Sequence, residues 1–78
     1  MITVYTKPNC VQCEWTKKLM DKLDIEYKAV DVTQDKDAEE TVISLGYTAL
    51  PVVVVDMNTH WQGFRMERIK GLKRSGRH

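Results

Sequence analysis

The 78-residue chain is 42% hydrophobic and 29% charged, with a net charge of +1, which suits one domain (residues 1–78) with a thin core. Its longest apolar run, LPVVVV at 50–55, falls far short of the ~20 residues that cross a bilayer, and no charged-then-apolar leader opens it, so no membrane contact and a cytoplasmic location are expected. The charge is uneven: residues 65–78 hold six Lys/Arg against Glu67 alone, while the rest holds six against ten acids. A basic end attracts nucleic acid or an acidic partner, but no aromatic or groove-reading motif accompanies it. Nucleic acid is therefore not an expected partner, and residues 73–78 read as a disordered basic tail.

In chain order, ITVYT (2–6) is β-branched and aromatic and predicts a short strand, which Pro8 breaks. Residues from 11 to about 23 predict a helix, because Val11, Trp15, Leu19 and Leu23 recur every four positions while Lys17, Lys18, Asp21 and Lys22 take the water side. IEYKAVDV (25–32) alternates apolar and polar, the pattern of a second strand. TQDKDAEE leads into a second helix: Asp37 with Glu40 fits a capping box, Ala38, Val42 and Leu45 form the apolar stripe, and Gly46 is the stop. VVVV (52–55) does not alternate, as expected of a strand buried on both faces. DMNT (56–59) is a turn, HWQ (60–62) returns as a short antiparallel strand, and Ile69 and Leu72 mark a last helix over about 65–72 without a good N-cap. The order βαβαββα, with a right-handed crossover between the first two strands, predicts an α/β fold: a four-stranded mixed sheet flanked by three helices.

The only two cysteines stand three apart in KPNCVQCEW. Cys10 falls in the turn between the first strand and the first helix, and Cys13 one turn into that helix on nearly the same face. The free N–H groups and positive dipole end of a helix start favour a thiolate at Cys10, and Lys7 adds to the field. The pair then suits turnover: Cys10 attacks a substrate disulfide, and Cys13 attacks the mixed disulfide and releases the reduced substrate. The spacer, Val11 and Gln12, helps set how oxidising the pair is. An inert structural link is disfavoured by a reducing compartment and by the tiny loop it would close. A metal site needs four ligands, and only His60 and His78 remain, without finger-like spacing.

Pro51 admits two readings: an ordinary strand-initial proline, or a cis proline whose preceding residue, Leu50, offers backbone groups to an extended substrate peptide. Trp15 lies on the helical stripe and reads as core. Trp61 and Phe64 fit either the core or an exposed apolar platform for a partner.

From residue 1 to about 72 the chain resembles the thioredoxin-fold superfamily, and more closely the glutaredoxin-like NrdH-redoxin family. VYTKPNCVQC is similar to that family's active-site entry, LGYTALPVV to its cis-proline segment, and HWQGFRMERI to its C-terminal W-S-G-F-R-P signature. The resemblance implies a thioredoxin/glutaredoxin-like fold and a dithiol–disulfide oxidoreductase with no bound cofactor, cycling through a reversible Cys10–Cys13 disulfide. Electrons would come from NADPH through thioredoxin reductase, not glutathione. They would go to the large subunit of a class Ib ribonucleotide reductase. By position, Cys10 is the nucleophile, Cys13 the resolving thiol and Pro51 the cis proline, while Trp61, Gly63, Phe64 and Arg65 form a hydrogen-bonded brace. With Lys7, Val11, Gln12 and Leu50 these make the expected partner-binding set, on a monomer.

Gln62 and Met66 replace the signature's Ser and Pro. Losing a proline at the first helical position removes a pre-set φ, so the last helix is expected to shift or fray at its start. Glutaredoxins tend to follow the fourth strand with Gly-Gly and an acidic pair that receives glutathione. QGFRMER offers Arg65 and only one acid, Glu67, which is unfavourable for the glutathione α-amino group. The alternatives are a glutathione-dependent glutaredoxin and a non-catalytic thioredoxin-fold binding module.

Overall fold

The computed structural model describes residues 1–75. The elements run β1 (Ile2–Thr6), α1 (Val11–Lys22), β2 (Tyr27–Asp31), α2 (Lys36–Ser44), β3 (Val52–Asp56), β4 (Thr59–Gln62) and α3 (Met66–Ser75). The predicted order βαβαββα and four-stranded mixed sheet are both present, with strand order β2-β1-β3-β4. β1 pairs parallel with β2 from Ile2–Tyr27 to Thr6–Asp31 and antiparallel with β3 through Val4–Val53; β4 closes the hairpin through Val53–Trp61. No helix among the described residues is long and apolar enough to cross a membrane.

Side-chain alternation explains the layers. Val4, Val53 and Trp61 stand side by side on one face, where Met20 of α1 and Ile69 of α3 close the core over them. Val52 points to the other face and is fully buried as well, so that face is also covered; Ala38 and Val42 of α2 are buried too, outside the cluster on the first face. The valine run is thus buried on both faces where it enters the sheet, at Val52 and Val53, and half-buried at Val54 and Val55.

Three expectations need correction. The buried face of α1 is Cys13, Thr16 and Met20, not the every-four row through Val11 and Trp15. Such a row advances about 40° per step around a helix of 3.6 residues per turn. It therefore starts in solvent, with Val11 61% and Trp15 51% exposed, and reaches the core's flank only at Leu19 and Leu23. The N-cap of α2 is Asp35, not Asp37: Asp35 is extended, and its Oδ1 accepts the Ala38 N–H at 3.1 Å. Asp37 sits inside the first turn, where its charge still favours the positive dipole end. α3 begins at Met66 without the signature proline and continues to Ser75, three residues past its expected end. The remainder of the expected tail, 76–78, lies outside the described residues.

Gly46 does end α2 as read, at φ +88, with Tyr47 N–H donating to Val42 O and Gly46 N–H to Ile43 O. Both ends of α2 are therefore capped, and the two aspartates at its N-terminal end are separable by mutation. Asp35→Ala is expected to cost about 1 kcal/mol in urea unfolding, while Asp37→Ala costs a few tenths. Equal losses would remove Asp35 as the cap.

Candidate active site

β1 ends at Thr6, the exposed loop Lys7-Pro8-Asn9 follows, and the chain enters α1 at Cys10. Asn9 takes a left-handed φ of +60, which asparagine tolerates better than most residues. That turn delivers Cys10 to the N-cap position in extended geometry, and its Sγ accepts the Cys13 N–H at 3.2 Å. A sulfur thus occupies the place where Ser or Asp normally caps a helix, held by an orphan donor and the positive dipole end, both of which favour its anionic form. A disulfide joins Cys10 to Cys13, with Cα atoms 5.2 Å apart. The two sulfurs differ in access: Cys10 is 9% exposed and Cys13 is wholly buried.

On the opposite side stands the segment entering β3. The Leu50–Pro51 peptide is cis, Pro51 is fully buried, and the Leu50 carbonyl oxygen lies 3.8 Å from Cys10 Sγ. The two readings of Pro51 thus resolve toward the cis form. Lys7 is exposed, and among the described residues no carboxylate pairs with it. Glu14, the acid in the first turn of α1, is engaged by Lys17 at 2.9 Å. Among the described residues no group of three or more His, Cys, Asp or Glu converges on a point a metal would occupy.

Of the four residues expected to form a brace, Gly63, Phe64 and Arg65 each make a hydrogen bond here, while the buried indole N–H of Trp61 has no partner among the described residues. Gln12 Oε1 accepts the Phe64 N–H at 3.1 Å and so ties the first turn of α1 to the chain entering α3. Gly63, at φ +84, donates its N–H to Pro51 O at 2.7 Å. An added Cβ at Gly63 would meet Gln12 Oε1 at 3.5 Å, so the left-handed φ, rather than space, calls for glycine there. Arg65 Nε donates to Gln62 O at 3.2 Å. Gln62 Oε1 accepts from the Thr48 and Ala49 N–H groups, each at 3.3 Å.

Trp61 cannot touch a partner directly. It pairs with Val53 on the helix-covered face and is 4% exposed, with the Arg68 guanidinium 5.4 Å from its ring centre. Phe64 packs against the core but meets Trp15 edge to face, with centroids 5.8 Å apart. The exposed aromatic surface is therefore Trp15 with Phe64, beside Val11, and not Trp61 with Phe64. Sequence reasoning missed the parts played by Gln62 and Trp15. The signal for Gln62 was alternation: once Trp61 faces the core, its neighbour must face the cis-proline side.

A glutaredoxin family model matches residues 2–61. The glutaredoxin-like protein NrdH of Salmonella typhimurium is 41% identical over 71 residues, covering 91% of this chain and 86% of that protein. The solved structure of Escherichia coli NrdH-redoxin, a glutaredoxin-like protein described as having a thioredoxin-like activity profile, superposes with a TM-score of 0.86 at 35% identity, over 91% of this chain and 92% of that one. A buckwheat glutaredoxin solved with glutathione superposes less closely, with a TM-score of 0.71 at 26% identity, over 92% of this chain and 70% of that one.

Proposed function

The chain belongs to the glutaredoxin family, alongside the NrdH redoxins, and from that premise we propose that it is a dithiol electron carrier. It takes electrons from NADPH through thioredoxin reductase and reduces the active-site disulfide of a class Ib ribonucleotide reductase large subunit, acting as a single-domain cytoplasmic monomer. The observation that carries the redox reading is a cysteine pair already joined at a helix N-cap, facing a cis proline, with only Cys10 reachable from outside.

The exchange follows from that asymmetry. The Cys10 thiolate attacks one sulfur of the partner's disulfide; that S–S bond breaks, and the departing sulfur takes up a proton. Cys13 then loses its proton, attacks Cys10 Sγ and displaces the partner's second sulfur, which is protonated in turn. The partner gains two electrons and two protons, and the Cys10–Cys13 disulfide reforms. Thioredoxin reductase then reduces the Cys10–Cys13 disulfide back to the two thiols, with the two electrons drawn from NADPH.

Two assays with NADPH test the reading: insulin-disulfide reduction driven by thioredoxin reductase, and the same driven by glutathione with glutathione reductase. Fast turnover with the first and slow turnover with the second is expected. Comparable rates would support a glutathione-dependent glutaredoxin, and no turnover with either would support a binding module.

Trp15 and Phe64 are the natural platform for the reductase, an aromatic pair held beside the reactive turn. Trp15→Ala is expected to raise the KM for thioredoxin reductase about tenfold, the size of a modest hot spot, with the melting temperature nearly unchanged. Phe64→Ala should raise KM similarly but also lower the melting temperature, because its ring packs on the core. An unchanged KM in Trp15→Ala would remove the platform.

A further inference from the structure

We propose that Gln62 is a positioning residue for disulfide exchange, an inference that rests on the redox reading above. β4 turns Trp61 into the core, so Gln62 faces the other way, opposite Val52 in the hairpin register. From there Oε1 lies 3.3 Å from both the Thr48 and the Ala49 nitrogens. A backbone N–H only donates, so it is the amide oxygen that must face this pair. One acceptor thereby ties down two consecutive peptide units just upstream of the cis Leu50–Pro51 bond. The Leu50 carbonyl, 3.8 Å from Cys10 Sγ, belongs to the same short segment.

The main chain beside Gln62 holds the far end of that segment. Gly63 N–H donates to Pro51 O at 2.7 Å, and the Gln62 carbonyl is itself fixed by Arg65 Nε. The Gln62–Gly63 unit therefore grips residues 48–51 from both ends, and none of these bonds reaches a sulfur. Its effect falls on the backbone edge against which an extended, disulfide-bearing chain must lie. Attack by Cys10 on a small disulfide needs no such edge. Serine carries its oxygen on Cβ and has a shorter reach, so this grip is particular to glutamine.

The test uses pre-reduced full-length protein in single-turnover stopped flow, against insulin disulfides and against the small aromatic disulfide dithionitrobenzoate. Gln62→Met, similar in length but without an acceptor, is expected to raise the half-saturating insulin concentration about three- to tenfold, the equivalent of one net hydrogen bond. Its limiting rate and its rate with dithionitrobenzoate should not change. Gln62→Glu restores an acceptor and should return the insulin value toward that of the unaltered protein. Amide exchange read by NMR should accelerate at Thr48 and Ala49 in Gln62→Met but not in Gln62→Glu, even where overall stability also falls. An unchanged insulin value, or an equal loss with both disulfides, overturns the proposal while the redox reading stands. If the unaltered protein reduces neither disulfide, the redox reading itself falls and the proposal with it.

Discussion

Cys13→Ala is expected to leave the protein folded and still reactive, but to stop it after one half-reaction. Cys10 keeps its place at the N-cap and still attacks a disulfide, yet no neighbouring thiol remains to displace the captured partner. Turnover with insulin should fall about a hundredfold or more, and a covalent adduct should accumulate that dithiothreitol releases. Alanine is the better probe here: Cys13 is wholly buried, and serine would bury an extra hydroxyl. Cys10→Ala should behave differently, with turnover lost and no adduct formed, since the remaining sulfur has no access to solvent. Loss of the disulfide should cost little stability in either variant, because the bridge closes a loop between residues only three apart. Mass spectrometry of the trapped species decides the matter. An adduct on Cys13 in Cys10→Ala, matching the yield on Cys10 in Cys13→Ala, would reverse the assigned roles.

The chemistry was legible in the sequence because it depends on local features. A cysteine just before a helix, a second one turn later and a glycine stop after α2 are all set by neighbours in the chain. What escaped was anything decided by rotation or by reach across the fold. The every-four row in α1 was the right kind of pattern but not the buried face, because only the sheet's position fixes which side of a helix turns inward. Trp15 consequently moved from core to surface. Trp61, which fits either core or platform by sequence, is core for a related reason: its inward direction is set by pairing with Val53, which the one-dimensional pattern of a four-residue strand does not reveal. Gln12 stands out in the sequence only as a spacer residue in the partner-binding set, and Gln62 only as a replacement for the signature serine. Their bonds span 52 residues in one case and 13 or 14 in the other. Alternation gives the direction in which such a side chain faces but does not name its distant partner, and a departure from a family signature can hide a replacement device.

Ile69→Ala is expected to have the largest effect on stability, and it tests how α3 is held. α3 is a ten-residue helix, too short to be stable alone, and Met66 supplies none of the pre-set φ that proline would. Its hold on the sheet comes from packing. Ile69 is wholly buried among Val4, Met20, Val53 and Trp61, while Leu72 reaches the cluster only partly buried. Truncation to alanine should cost about 3 kcal/mol, from lost transfer energy plus the cavity left behind. A domain of this size has about 5–10 kcal/mol to lose, so the melting temperature should fall by about 12–24 °C. Ile69→Val should cost only about 1 kcal/mol. The same anchor orders the chain between β4 and α3, where the Phe64 N–H donates to Gln12 Oε1 and the Phe64 ring meets Trp15. Partner docking should therefore weaken in Ile69→Ala even well below its melting temperature. Reduction of dithionitrobenzoate should persist there, because Cys10 is positioned by β1, α1 and the cis-proline segment. A melting temperature within about 3 °C of the unaltered protein, a shift worth under 1 kcal/mol, would show that α3 is secured by something other than this side chain.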